Sequence, residues 1–303
     1  MSKTTKIWLT LAALLTFIGL IIFGGAMTMA NWDFSKISTI KYETNEYEIN
    51  ENFHDIFIET DTSYIEFVPS ENGKTSVVCR EEQKNKHSVT VKDGTLTIES
   101  NDIRKWYDHI YIGTVFNGGP KITVYLPESE YGALSLKGKT GGAALDGAFT
   151  FESINVSFTT GTVKNYASAS GTVSLKTTTG SIYVENCSAD SFETSVSTGS
   201  VKTKNLTCKS FTSNGSTGGI SLESVIAKEK LSVKRSTGDI KLDGCDAEEI
   251  FIKTNTGSVT GTLLSEKTFI ARSDTGSVKV PEETRGGRCE ITTDTGNIRI
   301  SVK

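Results

Sequence analysis

Histidine is scarce in this chain: His54, His87 and His109 are the only three, and none falls in the second half. They do not show the spacing of a metal-ligand set. Gly-x-Ser-x-Gly, phosphate-loop and dinucleotide fingerprints are missing, so the common hydrolase, nucleotide and nicotinamide chemistries have no motif to rest on. No Lys/Arg-rich run interleaves with aromatics, and the net charge is −4. A nucleic-acid partner is therefore not expected. There are 4 prolines against 28 glycines, a balance that suits a chain of many turns.

What is present is a repeat. Thr-Gly recurs at Thr140-Gly141, Thr160-Gly161, Thr179-Gly180, Thr198-Gly199, Thr217-Gly218, Thr237-Gly238, Thr256-Gly257, Thr275-Gly276 and Thr295-Gly296, each 19 or 20 residues after the last. A period of this size marks one supersecondary unit stacked on copies of itself. Two residues after the glycine stand Val163, Ile182, Val201, Ile220, Ile240, Val259, Val278 and Ile298. Seven before it stand Ile154, Val173, Phe192, Phe211, Leu231, Ile250, Phe269 and Cys289. Between these anchors apolar and polar residues alternate, which reads as half-buried strand. The fold class expected is all-β, a single-stranded β-helix-like solenoid of about nine coils, roughly 40 Å long at about 4.8 Å per coil.

Each coil is expected to hold two strands with a corner at Thr-Gly, where glycine turns the chain at positive φ. The corner threonines share the parity of the buried columns, which places their hydroxyls inside. The residue before each, from Thr159 and Thr178 through Ser197, Ser216, Ser236 and Asn255 to Asp274 and Asp294, faces out. The extra residue of a 20-residue repeat belongs in the far loop, for example within 223–230. Of the five cysteines, Cys187, Cys208, Cys245 and Cys289 fall in or beside apolar columns and read as small buried hydrophobes. Cys79 has no column. Cys187 and Cys208 lie on adjacent coils but two residues out of register, so a disulfide would need distortion.

Residues 7–30 contain no charge, and as a helix they reach about 36 Å, enough to span a bilayer. Lys3 and Lys6 precede them, which keeps residues 1–6 cytoplasmic and the remainder outside. A cleavable signal peptide is the rival reading. Residues 31–50 read as a stalk, 51–130 as an irregular β cap, and 131–303 as the repeat domain. Within the cap, 55–59 and 64–68 read as strands, 88–99 as a hairpin turning at Asp93-Gly94, and 121–126 as the strand leading into the array. The insertion 101–120 gathers Trp106, Tyr107, His109, Tyr111 and Phe116. It serves either as a ligand-contact loop or as a plug for the end of the core. The chain ends on Ile298–Lys303 with no separate cap, which leaves an exposed edge there.

Several chemistries fit poorly. Asp239, Asp274 and Asp294 occupy two columns, unlike a calcium-binding repeat, and no carboxylate pair recurs at one level as a polysaccharide-cleaving β-helix needs. At the corner, Thr-x-Thr occurs at Thr177/Thr179, Thr254/Thr256 and Thr293/Thr295. The second threonine is expected to point inward, however, and the motif is missing from the other corners, so an ice-binding array fits poorly. No catalytic, cofactor-binding or metal-ligating residue is expected.

The repeated corner, [Ser/Thr]-x-Thr-Gly-[Ser/Asp/Asn]-[Val/Ile], resembles that of the bacterial "putative adhesin" family of β-strand-repeat domains. The Lys121–Tyr131 segment and the aromatic insertion before it are similar to that family as well. The resemblance implies a bacterial β-solenoid ectodomain without catalytic residues, behind one membrane segment. Related domains occur in Lia-type envelope-stress systems. The expected function is a membrane-anchored, non-catalytic surface scaffold contacting polysaccharide, protein or another envelope component. The alternatives are a stress-response component acting through a membrane partner or antimicrobial peptide and, more remotely, a polysaccharide-acting enzyme.

Overall fold

The computed structural model describes residues 2–33, 41–105, 119–282 and 285–303. Helix α1 (Lys3–Met29) precedes an all-β body. Its most apolar 18-residue window has a mean hydropathy of 2.4, and among the described residues it is the one helix long and apolar enough to cross a membrane. The cap strands are β1 (Tyr42–Ile49), β2 (Asp55–Thr60), β3 (Tyr64–Pro69), β4 (Thr75–Glu82), β5 (Asn85–Lys92), β6 (Thr95–Asp102) and β7 (Lys121–Leu126). The array comprises β8 (Glu130–Leu145), β9 (Thr150–Asn165), β10 (Ser168–Ala169), β11 (Thr172–Thr179), β12 (Ile182–Thr198), β13 (Val201–Thr217), β14 (Ile220–Thr237) and β15 (Ile240–Thr256), then β16 (Val259–Leu263), β17 (Lys267–Thr275), β18 (Val278–Lys279), β19 (Gly287–Thr295) and β20 (Ile298–Val302). The expected cap strands and hairpin are present. Tyr42–Ile49, expected in the stalk, instead pairs antiparallel with β4.

Coils stack parallel and in register, Ile182 beside Val201, Ile220 and Ile240 in turn. Along β12 the inward residues are Ile182 and Val184, then Cys187 and Ala189, then Phe192, Thr194 and Val196. The inward parity shifts three times per coil, so a coil has three sides rather than the two strands expected. Asn186, Asn205, Ser224 and Gly244 form the turn the sequence reading missed, with φ of 55°, 50°, 52° and 60°. Asn205 Nδ2 donates to Asn186 Oδ1 at 2.8 Å, so this turn stacks by its own side chains. The added residue of one long repeat lies at 228–229, within the expected loop, where the register shifts between Ala227 and Lys230.

The Thr-Gly corner turns as expected, and its glycines have a second reason to lack a side chain. Gly199 has φ 140°, and a Cβ there would meet Gly180 O at 1.6 Å. The corner threonines, however, point outward. The turn exposes two successive residues, such as Ser197 and Thr198, and breaks the alternation from which an inward placement follows. The inward hydroxyls sit two residues earlier. Thr177, Thr254 and Thr293 Oγ1 donate to Gly161, Gly238 and Gly257 O at 3.1, 3.3 and 2.9 Å.

At both ends the order of coils in space departs from their order in sequence. β2 lies between β6 and β8, and β3 between β7 and β8, so the first coil is an inner one. β4 and β5 then cover the outer coil antiparallel. At the far end β19 lies between β15 and β17, and β20 between β16 and β18. The expected C-terminal edge is therefore corrected: Ile298 is buried, and the outermost coil is 267–279, with Ile270 and Val278 exposed.

Candidate binding face and a buried polar cluster

The longest side of each coil is the seven- or eight-residue run ending at the corner threonine. Across β9, β11, β12 and β13 these runs align at Thr160, Thr179, Thr198 and Thr217. Within 153–160, 172–179, 191–198 and 210–217 every outward side chain except Lys176 and Glu193 is Ser, Thr or Asn. Strands packed about 4.8 Å apart make this a flat sheet of hydroxyls and amides with little charge. Ser210 Oγ donates to Ser191 Oγ at 3.3 Å across coils. Along the adjoining ridge the corner threonines run unbroken from Thr140 through Thr256 to Thr295 and Thr275.

The neighbouring side carries a groove of about 620 Å³ lined by Lys164, Tyr166, Tyr183, Lys202, Lys204 and Glu223 among others. Lys202 Nζ lies 5.8 Å from the Tyr183 ring centre. Lys204 pairs with Glu223 at 3.4 Å, an exposed contact worth a few tenths of a kcal/mol to about 1 kcal/mol. The expected ligand-contact loop, Trp106, Tyr107, His109 and Tyr111, lies outside the described residues, as does Phe116.

A second constellation was not anticipated. Cys79 and Glu81 alternate onto the inner face of β4, and a tight hairpin returns the chain so that β5 brings His87 beside them. Cys79 and Glu81 are 0% exposed and His87 4%. Glu81 Oε2 accepts from His87 Nδ1 at 2.7 Å and from the His87 backbone N–H at 2.6 Å. Its Oε1 accepts from Asn45 Nδ2 at 2.6 Å. His87 Nε2 stands 3.2 Å from Thr60 Oγ1 and 3.3 Å from Ser63 Oγ. Burial, reinforced by the Glu81 charge, pushes the Cys79 thiol up to about 12. Ser63, His87 and Glu81 thus line up as hydroxyl, imidazole and carboxylate. Ser63 is only 1% exposed, and its carbonyl lies where a Gly141 Cβ would fall, at 2.3 Å. That burial leaves the hydroxyl no open approach for a substrate. The signal available in the sequence was the Cys-x-Glu alternation followed closely by a histidine across a hairpin.

The molecule is thus a stacked β-solenoid with one flat, hydroxyl-rich side. Residues 53–303 match the family described as Toastrack DUF4097, and the chain belongs to that family. No curated protein sequence matches the chain. Among solved structures it is similar to a "putative lipid binding protein" from Parabacteroides distasonis, at 15% identity and TM-score 0.52, covering 86% of this chain and 97% of that one. It is also similar to a "putative adhesin" from Parabacteroides merdae, at 11% identity and TM-score 0.50, covering 86% and 96% respectively. Identities this low speak to the shared fold.

Proposed function

We propose that this chain is a membrane-anchored extracytoplasmic scaffold that binds a hydroxyl-rich polymer of the envelope along its flat sheet side. The observation that carries this reading is the nearly uncharged Ser, Thr and Asn surface over β9, β11, β12 and β13. Hydroxyl and amide groups donate and accept alike, and their rigid spacing means little ordering entropy is lost on contact. Helix α1 supports the anchor, since its large apolar side chains apart from Met27 are exposed, as they would be to lipid. Only residues 30–41 separate α1 from β1, a tether of about 40 Å at full extension. That reach favours a ligand in the producing cell's own envelope, where an envelope-stress role would also be exercised.

The test is binding of the full chain in detergent micelles to envelope polysaccharides of the producing cell, beside foreign glycans, matrix proteins and lipid vesicles. Thr178→Trp and Ser195→Trp place bulk on the flat side and are expected to weaken polysaccharide binding at least tenfold without lowering the unfolding temperature. Undiminished binding in both variants would reject this face. Binding confined to foreign ligands would instead support an adhesin acting on other cells.

A further inference from the structure

We propose that Cys79, Glu81 and His87 form a binding site for a thiophilic divalent cation, with Zn²⁺ the best match to the ligand set. Sγ, the carboxylate oxygen and the imidazole nitrogen all lie within 4.8 Å of one another. Zn²⁺ takes S, N and O ligands at about 2.0–2.3 Å, so the three atoms need only close around it by small side-chain adjustments. A thiolate in the set disfavours Mg²⁺ and Ca²⁺, which select oxygen. Three protein ligands leave one tetrahedral position for water.

The surroundings favour a cation as well. Asn45 already orients the Glu81 carboxylate through Oε1. Metal on Nδ1 requires the His87 tautomer with its proton on Nε2, and Thr60 and Ser63 hydroxyl oxygens stand ready to accept that proton. Such outer contacts fix ring orientation at metal sites. In the structure the proton between Nδ1 and Oε2 fills the place of the cation. Binding moves that proton to Nε2 and expels the Cys79 thiol proton to solvent. Thiolate and carboxylate then carry two negative charges against the two positive charges of the metal. The completed site is neutral, as a fully buried one must be. The bland alternative is a buried imidazole–carboxylate pair that merely pins β4 to β5.

The two are separated by titrating the full chain in detergent micelles, both native and during refolding, with Co²⁺ and then Zn²⁺. One equivalent of Co²⁺ is expected to give a thiolate-to-metal charge-transfer band that Zn²⁺ abolishes, and Zn²⁺ is expected to raise the unfolding temperature. Because a thiol proton is displaced, apparent affinity is expected to rise about tenfold per pH unit near neutrality. Cys79→Ser is expected to lose the band, and Cys289→Ser, at the opposite end of the array, to keep it. No band in native or refolded wild-type protein overturns the site, as does a band that survives Cys79→Ser. Metal content of the wild-type chain after refolding in Zn²⁺ decides the matter even where a variant fails to fold.

Discussion

Arg235 shows how much one residue can cost a thin core. It is 3% exposed, and its Nη1 donates to Val196 O at 2.9 Å, two coils away. Nε and Nη2 have no protein partner. The guanidinium crosses the intervening coil at Gly215, where a Cβ would sit 1.7 Å from Nη1. Burial pulls the Arg235 pKa down, the mark of a cation held where its charge is poorly solvated. Replacing such a group by an apolar side chain of similar volume is commonly neutral to stabilising. Arg235→Leu is therefore expected to raise the unfolding free energy by about 1–3 kcal/mol in urea titrations. A loss of stability would mean that the single bond to Val196 outweighs the desolvation. The cysteines act in the other direction at high pH. Burial pushes the thiols of Cys79, Cys187, Cys208 and Cys289 up to about 12 and that of Cys245 to about 11, from an ordinary 9.0. Unfolding lets them ionise earlier, so their stabilising share is whole below pH 9 and lost as pH rises toward 11–12. Each thiol can steepen the fall by up to about 1.4 kcal/mol per pH unit. The unfolding midpoint should drop sharply between pH 9 and pH 11, and a flat profile there would contradict the burial of these thiols.

The coil itself is governed by its corner. Gly199→Val puts a β-branched residue at φ 140° and a Cβ against Gly180 O. It should destabilise the array by more than about 1 kcal/mol, read as a shift in the chemical unfolding midpoint. Period, anchor columns, corner glycines and the position of the inserted residue were all legible in the sequence, because each is a local property repeated many times. The direction of the corner threonines was not, since two successive exposed residues look like a continuing alternation. The tucked final coil was not legible either. Val259, Val278 and Ile298 belong to one column, so any coil fits beside any other and local pattern does not encode their order. The polar cluster around His87 escaped notice because Cys79 lies upstream of the repeat and had no column to place it. The tuck has a consequence for truncation. Deleting 287–303 removes the coil on which β17 and β18 rest, whereas deleting 265–303 removes the whole end and leaves β15 and β16 as a plain terminus. The longer deletion should resist proteolysis better than the shorter one, in which cleavage within 265–282 is expected. Equal resistance would show that 267–279 can move inward and pair directly with β15 and β16.

Across the whole molecule, stability should vary with position in the stack rather than with position in the sequence. A solenoid coil contacts only its neighbours, so opening is easiest from an end and hardest in the middle. The middle coils, β12 to β15, have neighbours on both sides and bury Phe192, Phe211, Leu231 and Ile250 completely. The near end is closed by antiparallel β4 and β5, and the first coil lies beneath an outer one. The far end has no such cover among the described residues: β17 pairs on one side only, and Phe269 and Ala271 are only partly buried. Ordinary fraying from the chain terminus would make 298–302 the first segment to exchange its amides. The stacking order predicts the reverse. Ile298 and Ile300 are buried between two coils, so amides of 287–302 should exchange more slowly than those of 267–279, although they lie nearer the terminus. Hydrogen exchange read by mass spectrometry on the intact chain resolves the two segments directly. Faster exchange in 287–302 would mean that the final coil lies outermost after all.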